Sequence, residues 1–197
     1  MCIGTLVVET VISSSCYREN YVIFLPAAGG TALDELSVLR EQGGTGMNYS
    51  CLQTPWGTWQ VTASETGVTG VWSAFTSKSE TGSRLTAQAV QELTEYFAGM
   101  RKRFSVPLDL QGTAFQQQVW RELRNIPWGE TRSYSEIAQA IGRPRAVRAV
   151  AQAIGKNPCL ILVPCHRVLG IDGSLTGFSA GLALKESLLY LEHPESV

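Results

Sequence analysis

Two hydrophobic periods divide the chain after Met47. Residues 49–53, 58–62 and 67–72 are short β-prone runs separated by the turn formers Pro55, Gly57 and Gly67. That pattern predicts a small antiparallel sheet. Over residues 84–98 the period lengthens, and Leu85, Ala89, Leu93, Tyr96 and Phe97 recur at mostly helical spacing before Gly99 and the cluster Arg101-Lys102-Arg103. One helix closes this first domain.

A proline-containing link, Phe104-Ser105-Val106-Pro107-Leu108, leads into a second domain. Thr113 and Gln116 have the spacing of a capping box that opens a helix running to Leu123. Ser133 and Glu136 form a better box; Tyr134, Ile137, Ala138 and Ile141 follow at i, i+3, i+4 and i+7, with Gly142 placed to end the helix. Pro144 suits the first turn of the next helix, in which Val147, Val150, Ala151 and Ile154 repeat the stripe as far as Gly155. Two helices joined by Gly142-Arg143 read as a helix-turn-helix.

The elements add up to an α+β chain in two domains. A small antiparallel β-sheet with a helix occupies residues 47–104; a mostly helical domain with the helix-turn-helix and a cysteine loop occupies residues 108–194. Residues 1–46 hold an apolar run from Ile3 to Val8, then Ser13-Ser14-Ser15, and end in Gly43-Gly44-Thr45-Gly46. They read as an extension of no assigned role, whose order the sequence leaves open. Translation starting at Met47 would leave both domains intact.

At 197 residues, 44% of them hydrophobic and 17% charged, the chain can bury one good core or two small ones. Its net charge of -1 conceals an asymmetry. Residues 1–100 hold 4 Lys/Arg against 9 Asp/Glu, residues 101–160 hold 10 against 4, and residues 161–197 hold 2 against 4. The basic block suits a phosphate backbone, and equally an exposed helical face with no ligand. In the second helix of the pair, Arg145, Arg148 and Gln152 fall opposite the apolar stripe, and Ala146, Ala149 and Ala153 keep the remaining surface small. A slim basic helix can approach a DNA groove closely.

The five cysteines, Cys2, Cys16, Cys51, Cys159 and Cys165, are odd in number, irregularly spaced and without a CxxC pair. No stretch resembles a signal peptide or a membrane span, so the expected compartment is reducing and intracellular: the cytoplasm, or the nucleus in a eukaryote. The only histidines are His166 and His193, too few ligands at sensible spacing for structural zinc, so no metal and no cofactor is expected.

One segment carries chemistry. Residues 161–168 place Cys165 beside His166 after an apolar run, with Pro164 fixing the entry to a turn. A free thiol, with a pKa of about 8.5, is mostly protonated near neutral pH, so a nucleophilic cysteine needs a base. His166 is placed to take the proton, directly or through water. The other four cysteines have no adjacent histidine and read as ordinary small residues.

The order of these pieces is Tyr134, Arg148, Asn157-Pro158, Pro164-Cys165-His166-Arg167-Val168, Gly177-Phe178-Ser179 and Lys185-Glu186. It closely resembles the O6-alkylguanine-DNA alkyltransferases, for which Pro-Cys-His-Arg-Val is highly specific. The resemblance runs from about Thr113 to Glu192, and Thr54-Pro55-Trp56-Gly57 is similar to the opening hairpin of the family's amino-terminal domain. It implies that Cys165 is the nucleophile, His166 its water-linked base, and Glu192 the partner of the other imidazole nitrogen, a triad favouring the thiolate. It further implies that the Tyr134 hydroxyl assists departure of the base. The backbone carbonyls of Cys165 and Val168 and the amide of Ser179 would read the guanine edge, and Asn157 would brace the cysteine turn.

The implied partner is double-stranded DNA containing O6-alkylguanine, bound by a monomer, with no membrane involved. The damaged nucleotide would be turned out of the stack, Arg148 would fill the gap, and the helix bearing Arg145, Ala149 and Gln152 would lie in the minor groove. The alkyl group would stay on sulfur as a thioether, so each molecule would act once. Phe178 stands where tyrosine is usual in the family, and Ala180 where many members have a glycine in the lip of the alkyl pocket. The second change implies weaker acceptance of bulky groups such as benzyl.

Three rival readings compete. A non-catalytic damage-binding relative would lack the reactive cysteine, which is present. A cysteine hydrolase would need an oxyanion site and a distant histidine. A helix-turn-helix regulator gives no reason for a Cys-His pair beside the DNA-binding element.

Overall fold

The computed structural model describes residues 48–74 and 81–193; the extension over residues 1–46, and with it Cys2 and Cys16, lies outside the described residues. Strands β1 (Asn48–Thr54), β2 (Gly57–Ala63) and β3 (Val68–Ala74) form an antiparallel sheet in the order β1-β2-β3. Thr54 pairs with Gly57 across a two-residue Pro55-Trp56 turn. Its hydroxyl accepts from the Trp56 amide (3.2 Å) and the Trp59 indole (3.1 Å), and Gly57 takes the positive φ of +103° that this tight reversal needs. Strand alternation turns the fully buried Trp59, Val61 and Ala63 toward one side.

Helix α1 (Arg84–Phe97) covers that face, as its apolar stripe requires. Ser83 and Thr86 close a capping box at its start, and Ala89, Leu93 and Tyr96 are fully buried. Phe97 packs on Trp56 and Trp59 at ring separations of 5.3 and 5.6 Å.

The remaining elements are α2 (Ala114–Leu123), β4 (Arg132–Ser133), α3 (Tyr134–Ala140), α4 (Val147–Gly155), β5 (Val168–Leu169) and α5 (Leu182–Glu192). Both expected capping boxes form, at Thr113 and at Ser133. Gly142, at φ +71°, ends α3 as anticipated, with Arg143 N–H on Ala138 O (2.8 Å) and Gly142 N–H on Gln139 O (2.9 Å).

Two local expectations are corrected. Pro144 lies ahead of α4 rather than in its first turn: Ala146 N–H bonds to Arg143 O (2.9 Å), a tight turn in which a proline φ suits the second position. Ala153 belongs to the buried side of α4, beside Val150 and Ile154, not its small outer surface; its carbonyl accepts the Trp120 indole N–H (2.8 Å), which ties α2 to α4.

The cysteine loop hangs on the sheet. The exposed edge of β3 is completed first by the link, with Val68 N–H on Pro107 O (2.8 Å) and Asp109 N–H on Val68 O (2.9 Å). Further along, Val71 N–H bonds to Pro158 O (2.9 Å) and Leu160 N–H to Val71 O (3.0 Å). Parallel pairing of β4 with β5 then sets Arg132 opposite Val168, which brings the start of α3 beside the segment just past Cys165.

Candidate active site

The chain between α4 and Cys165 is folded back on itself by hydrogen bonds to one buried side chain. Asn157 Oδ1 accepts from Cys159 N–H (3.0 Å), and Nδ2 donates to Val163 O (2.9 Å) and lies 3.1 Å from Cys165 Sγ. Between them, Leu162 N–H reaches Leu160 O (2.8 Å) across Ile161, which is buried at φ +72°, a strained backbone for a β-branched residue. Pro164, at φ -79° and ψ 64°, makes a second three-residue turn that commits Cys165 N–H to Val163 O (2.8 Å). A single 3-10 turn, Cys165–Arg167, follows.

Cys165, 4% exposed, sits at a cavity of about 420 Å³ walled by Tyr134 of α3, by Ala151, Ile154 and Gly155 of α4, and by Thr176, Gly177, Phe178 and Ser179. Burial pushes its thiol up to about 11, against the pull of the Asn157 amide and the Lys185 ammonium. Burial likewise lowers the His166 pKa, opposed by the Glu192 carboxylate. Burial thus favours a neutral thiol beside a neutral imidazole, and it opposes the charges that would favour the thiolate.

Glu192, at the end of α5, organises the base. Its Oε1 lies 2.8 Å from His166 Nε2; a carboxylate only accepts, so Nε2 carries the proton, and Nδ1 is buried without a hydrogen-bond partner, its lone pair uncommitted. Arg167 grips both carboxylate oxygens, Nε on Oε2 (2.8 Å) and Nη2 on Oε1 (2.9 Å), and its Nη1 donates to Ile126 O (2.6 Å). Gly129 N–H reaches Oε2 (3.3 Å) and the Tyr96 hydroxyl donates to Oε1 (2.6 Å). Burial would raise this carboxyl, but the bonds from His166 and Arg167 hold it down at about 2.

Lys185 is fully buried, and its ammonium donates to Val168 O (2.5 Å) and Thr176 O (2.8 Å), joining the cysteine turn to the loop that walls the cavity. Tyr134 donates to the same Thr176 carbonyl (3.1 Å). Val168 is buried, and its amide closes the 3-10 turn on Cys165 O. On the outside of α4, Arg148, Ala149 and Gln152 are exposed, as is Arg145 in the preceding turn, whereas Val150 and Ile154 are buried. The arginine face and the cavity wall are two sides of one helix.

Among the residues singled out from sequence, Tyr134, Phe178 and Ser179 line the cavity with Cys165, and Asn157 touches the sulfur. Ala180 does not line it: the turn closed by Gly181 N–H on Phe178 O (3.0 Å) leaves Ala180 packed against the core. Of the two glycines on the wall, Gly155 and Gly177, the second takes φ +49°, and an added Cβ there would meet the Tyr134 hydroxyl at 3.6 Å. Sequence reasoning missed Tyr96, Arg167 and Lys185 as members of the site. Arg167 stood inside the Pro-Cys-His-Arg-Val motif and Lys185 in the Lys185-Glu186 piece, but Tyr96 carried only a core signal.

Among the described residues, no group of three or more His, Cys, Asp or Glu is arranged to hold a metal ion, and no helix is long and apolar enough to cross a membrane.

Two family models match the chain: the 6-O-methylguanine DNA methyltransferase ribonuclease-like domain over residues 47–110 and the DNA binding domain of the same family over residues 114–194. The chain belongs to the 6-O-methylguanine DNA methyltransferase family. Within it, the methylated-DNA–protein-cysteine methyltransferase of Mycolicibacterium paratuberculosis is 55% identical over 113 residues, 57% of this chain and 68% of that protein. That of Mycobacterium bovis is 58% identical over 104 residues, 53% of this chain, and the match spans 63% of that relative's length. The crystal structure of Mycobacterium tuberculosis O6-methylguanine methyltransferase superposes with a TM-score of 0.69 at 41% identity, covering 77% of this chain and 96% of that one. The Mycobacterium tuberculosis OGT solved in complex with DNA gives 0.68 at 45% identity over 74% of this chain and 92% of that one. The sheet-plus-helical fold is the family's own.

Proposed function

We propose that this family member repairs DNA by drawing the alkyl group of an O6-alkylguanine onto Cys165, once per molecule and irreversibly. The reaction class, alkyl transfer in DNA repair, agrees with the names of its relatives. The observation that carries the reading is the buried Cys165 thiol at a 420 Å³ cavity, with a His166–Glu192 pair whose Nδ1 lone pair is uncommitted.

A base within a duplex cannot reach the sulfur of a residue that is only 4% exposed, so the damaged nucleotide must leave the stack. Arg148, on the outer face of the helix whose inner face walls the cavity, fills the space left behind, and α4 lies in the minor groove. Once the base occupies the cavity, the Cys165 proton passes to His166 Nδ1 through a bridging water, and Glu192 stabilises the imidazolium. Sγ attacks the alkyl carbon, the bond from that carbon to O6 breaks, and its electron pair goes to the purine. Tyr134, released from Thr176 O, donates a proton near N3, and the imidazolium proton returns through solvent. The product thioether cannot be exchanged by thiols. O4-alkylthymine presents the same exocyclic ether, and the proposal extends to it with the electron pair of the broken bond going to the pyrimidine.

Cys165 N–H is already bonded to Val163 O, which leaves that amide unable to serve as the oxyanion donor a cysteine hydrolase would use. With duplex O6-methylguanine in tenfold excess, methyl loss from DNA should stop at one equivalent per protein. Continued turnover, or tight binding with no methyl loss, refutes the proposal.

A further inference from the structure

We infer that Tyr96, a residue of the sheet-covering helix α1, is a positioning residue for the reaction: through Glu192 it holds His166 as a neutral base. This rests on the reading of Cys165 as the nucleophile.

The geometry is specific. The Tyr96 side chain is fully buried, its hydroxyl donates to Glu192 Oε1 at 2.6 Å, and the same oxygen atom faces His166 Nε2 at 2.8 Å. Tyr96 Oη lies 3.4 Å from that ring nitrogen. The ring is fixed from three sides, by Phe97 and Phe104 at 5.5 Å and by Trp128, ahead of β4, at 5.1 Å. A group held this tightly loses little further freedom in keeping its hydrogen bond.

The charged and titratable groups around the pair are Arg167 beside His166 in the chain, Lys185 on α5, Cys165 itself and Tyr96 on α1. Arg167 serves both oxygens of the carboxylate, whereas Tyr96 adds its short bond only to the one that receives the imidazole. A donor on that oxygen withdraws charge from it and weakens its grip on an imidazolium. Burial and the nearby carboxylate push the phenol's own pKa well up, so the hydroxyl stays a donor. This bond works with the burial that already lowers the His166 pKa, so the histidine rests neutral and able to accept the thiol proton. A helix from the amino-terminal half thus completes the base of the carboxy-terminal half.

The test uses the full chain with Tyr96→Phe, which keeps the ring and removes one oxygen. Iodoacetamide labelling of Cys165, read by peptide mapping across pH, reports the thiol without any DNA substrate, and ring-nitrogen NMR reports His166. The variant should raise the His166 pKa and lower the midpoint of Cys165 labelling, each by about one pH unit, the scale of one hydrogen bond to a charged group. In a Glu192→Gln background the same change should shift neither. Unchanged titrations of His166 and Cys165 in Tyr96→Phe, or an equal shift with Glu192→Gln, overturn the inference whatever the rate. Failure of wild type to take the methyl group from duplex O6-methylguanine, with the titrations shifted as stated, would instead overturn only the proposed function.

Discussion

Single residues set how this protein responds to pH. Glu192, 1% exposed at its side chain, falls from an ordinary 4.5 to about 2 on folding, so it contributes about 3 kcal/mol that is present above pH 4.5 and disappears as pH falls toward 2. His166, with its pKa lowered by burial, acts in the same direction: below about 6.5 the unfolded chain takes up a proton that the folded chain resists. At the other end, Cys165 and Cys159 are pushed up to about 11 and 12, so the unfolded chain ionises first and stability declines as pH rises above 9. Urea midpoints across pH should form a plateau between about 6.5 and 9 with a fall on both sides; a midpoint unchanged down to pH 3 contradicts this picture of the site. Cys165 and His166 stood out in the sequence because a motif named them, and Glu192 because the family resemblance implied it. Tyr96 did not, since its hydroxyl meets a partner 96 residues away and its ring obeys the helical stripe like any core aromatic.

At the scale of elements, α4 has two functional sides. Its inner side supplies Ala151, Ile154 and Gly155 to the cavity, and its outer side presents Arg148, Ala149 and Gln152. Arg148→Ala removes an exposed side chain and no core contact, so stability should stay within about 0.5 kcal/mol. Methyl transfer from duplex DNA should fall at least tenfold, roughly the effect of losing 1.4 kcal/mol, while iodoacetamide labelling of Cys165 holds its rate. A parallel loss of labelling would show that the residue supports the fold instead of the DNA step. Periodicity and capping residues made α1, α2 and α3 readable almost to their ends. The start of α4 was misread because Pro144 fits both a helix's first turn and a preceding tight turn, and only the Ala146-to-Arg143 bond decides between them. Ala153 was assigned outward because an alanine is small enough for either side of a helix, although it adjoins the buried Val150 and Ile154.

Across the whole molecule, the sheet and the helical region are stitched together at the place where the chemistry is arranged. β3 pairs with both the link and the segment leading to Cys165, Tyr96 joins Glu192, and Lys185 joins the cysteine turn to the cavity wall. Such long-range pairings are invisible to local patterns, which is why the sequence showed two domains and not their shared edge. The central claim is that Cys165 accepts the alkyl group. The direct measurement is intact-protein mass spectrometry with peptide mapping after incubation with duplex O6-methylguanine, wild type and Cys165→Ala side by side. One methyl on the peptide bearing Cys165 in wild type and none on the variant is the predicted result; a methyl elsewhere, or on the variant, contradicts it.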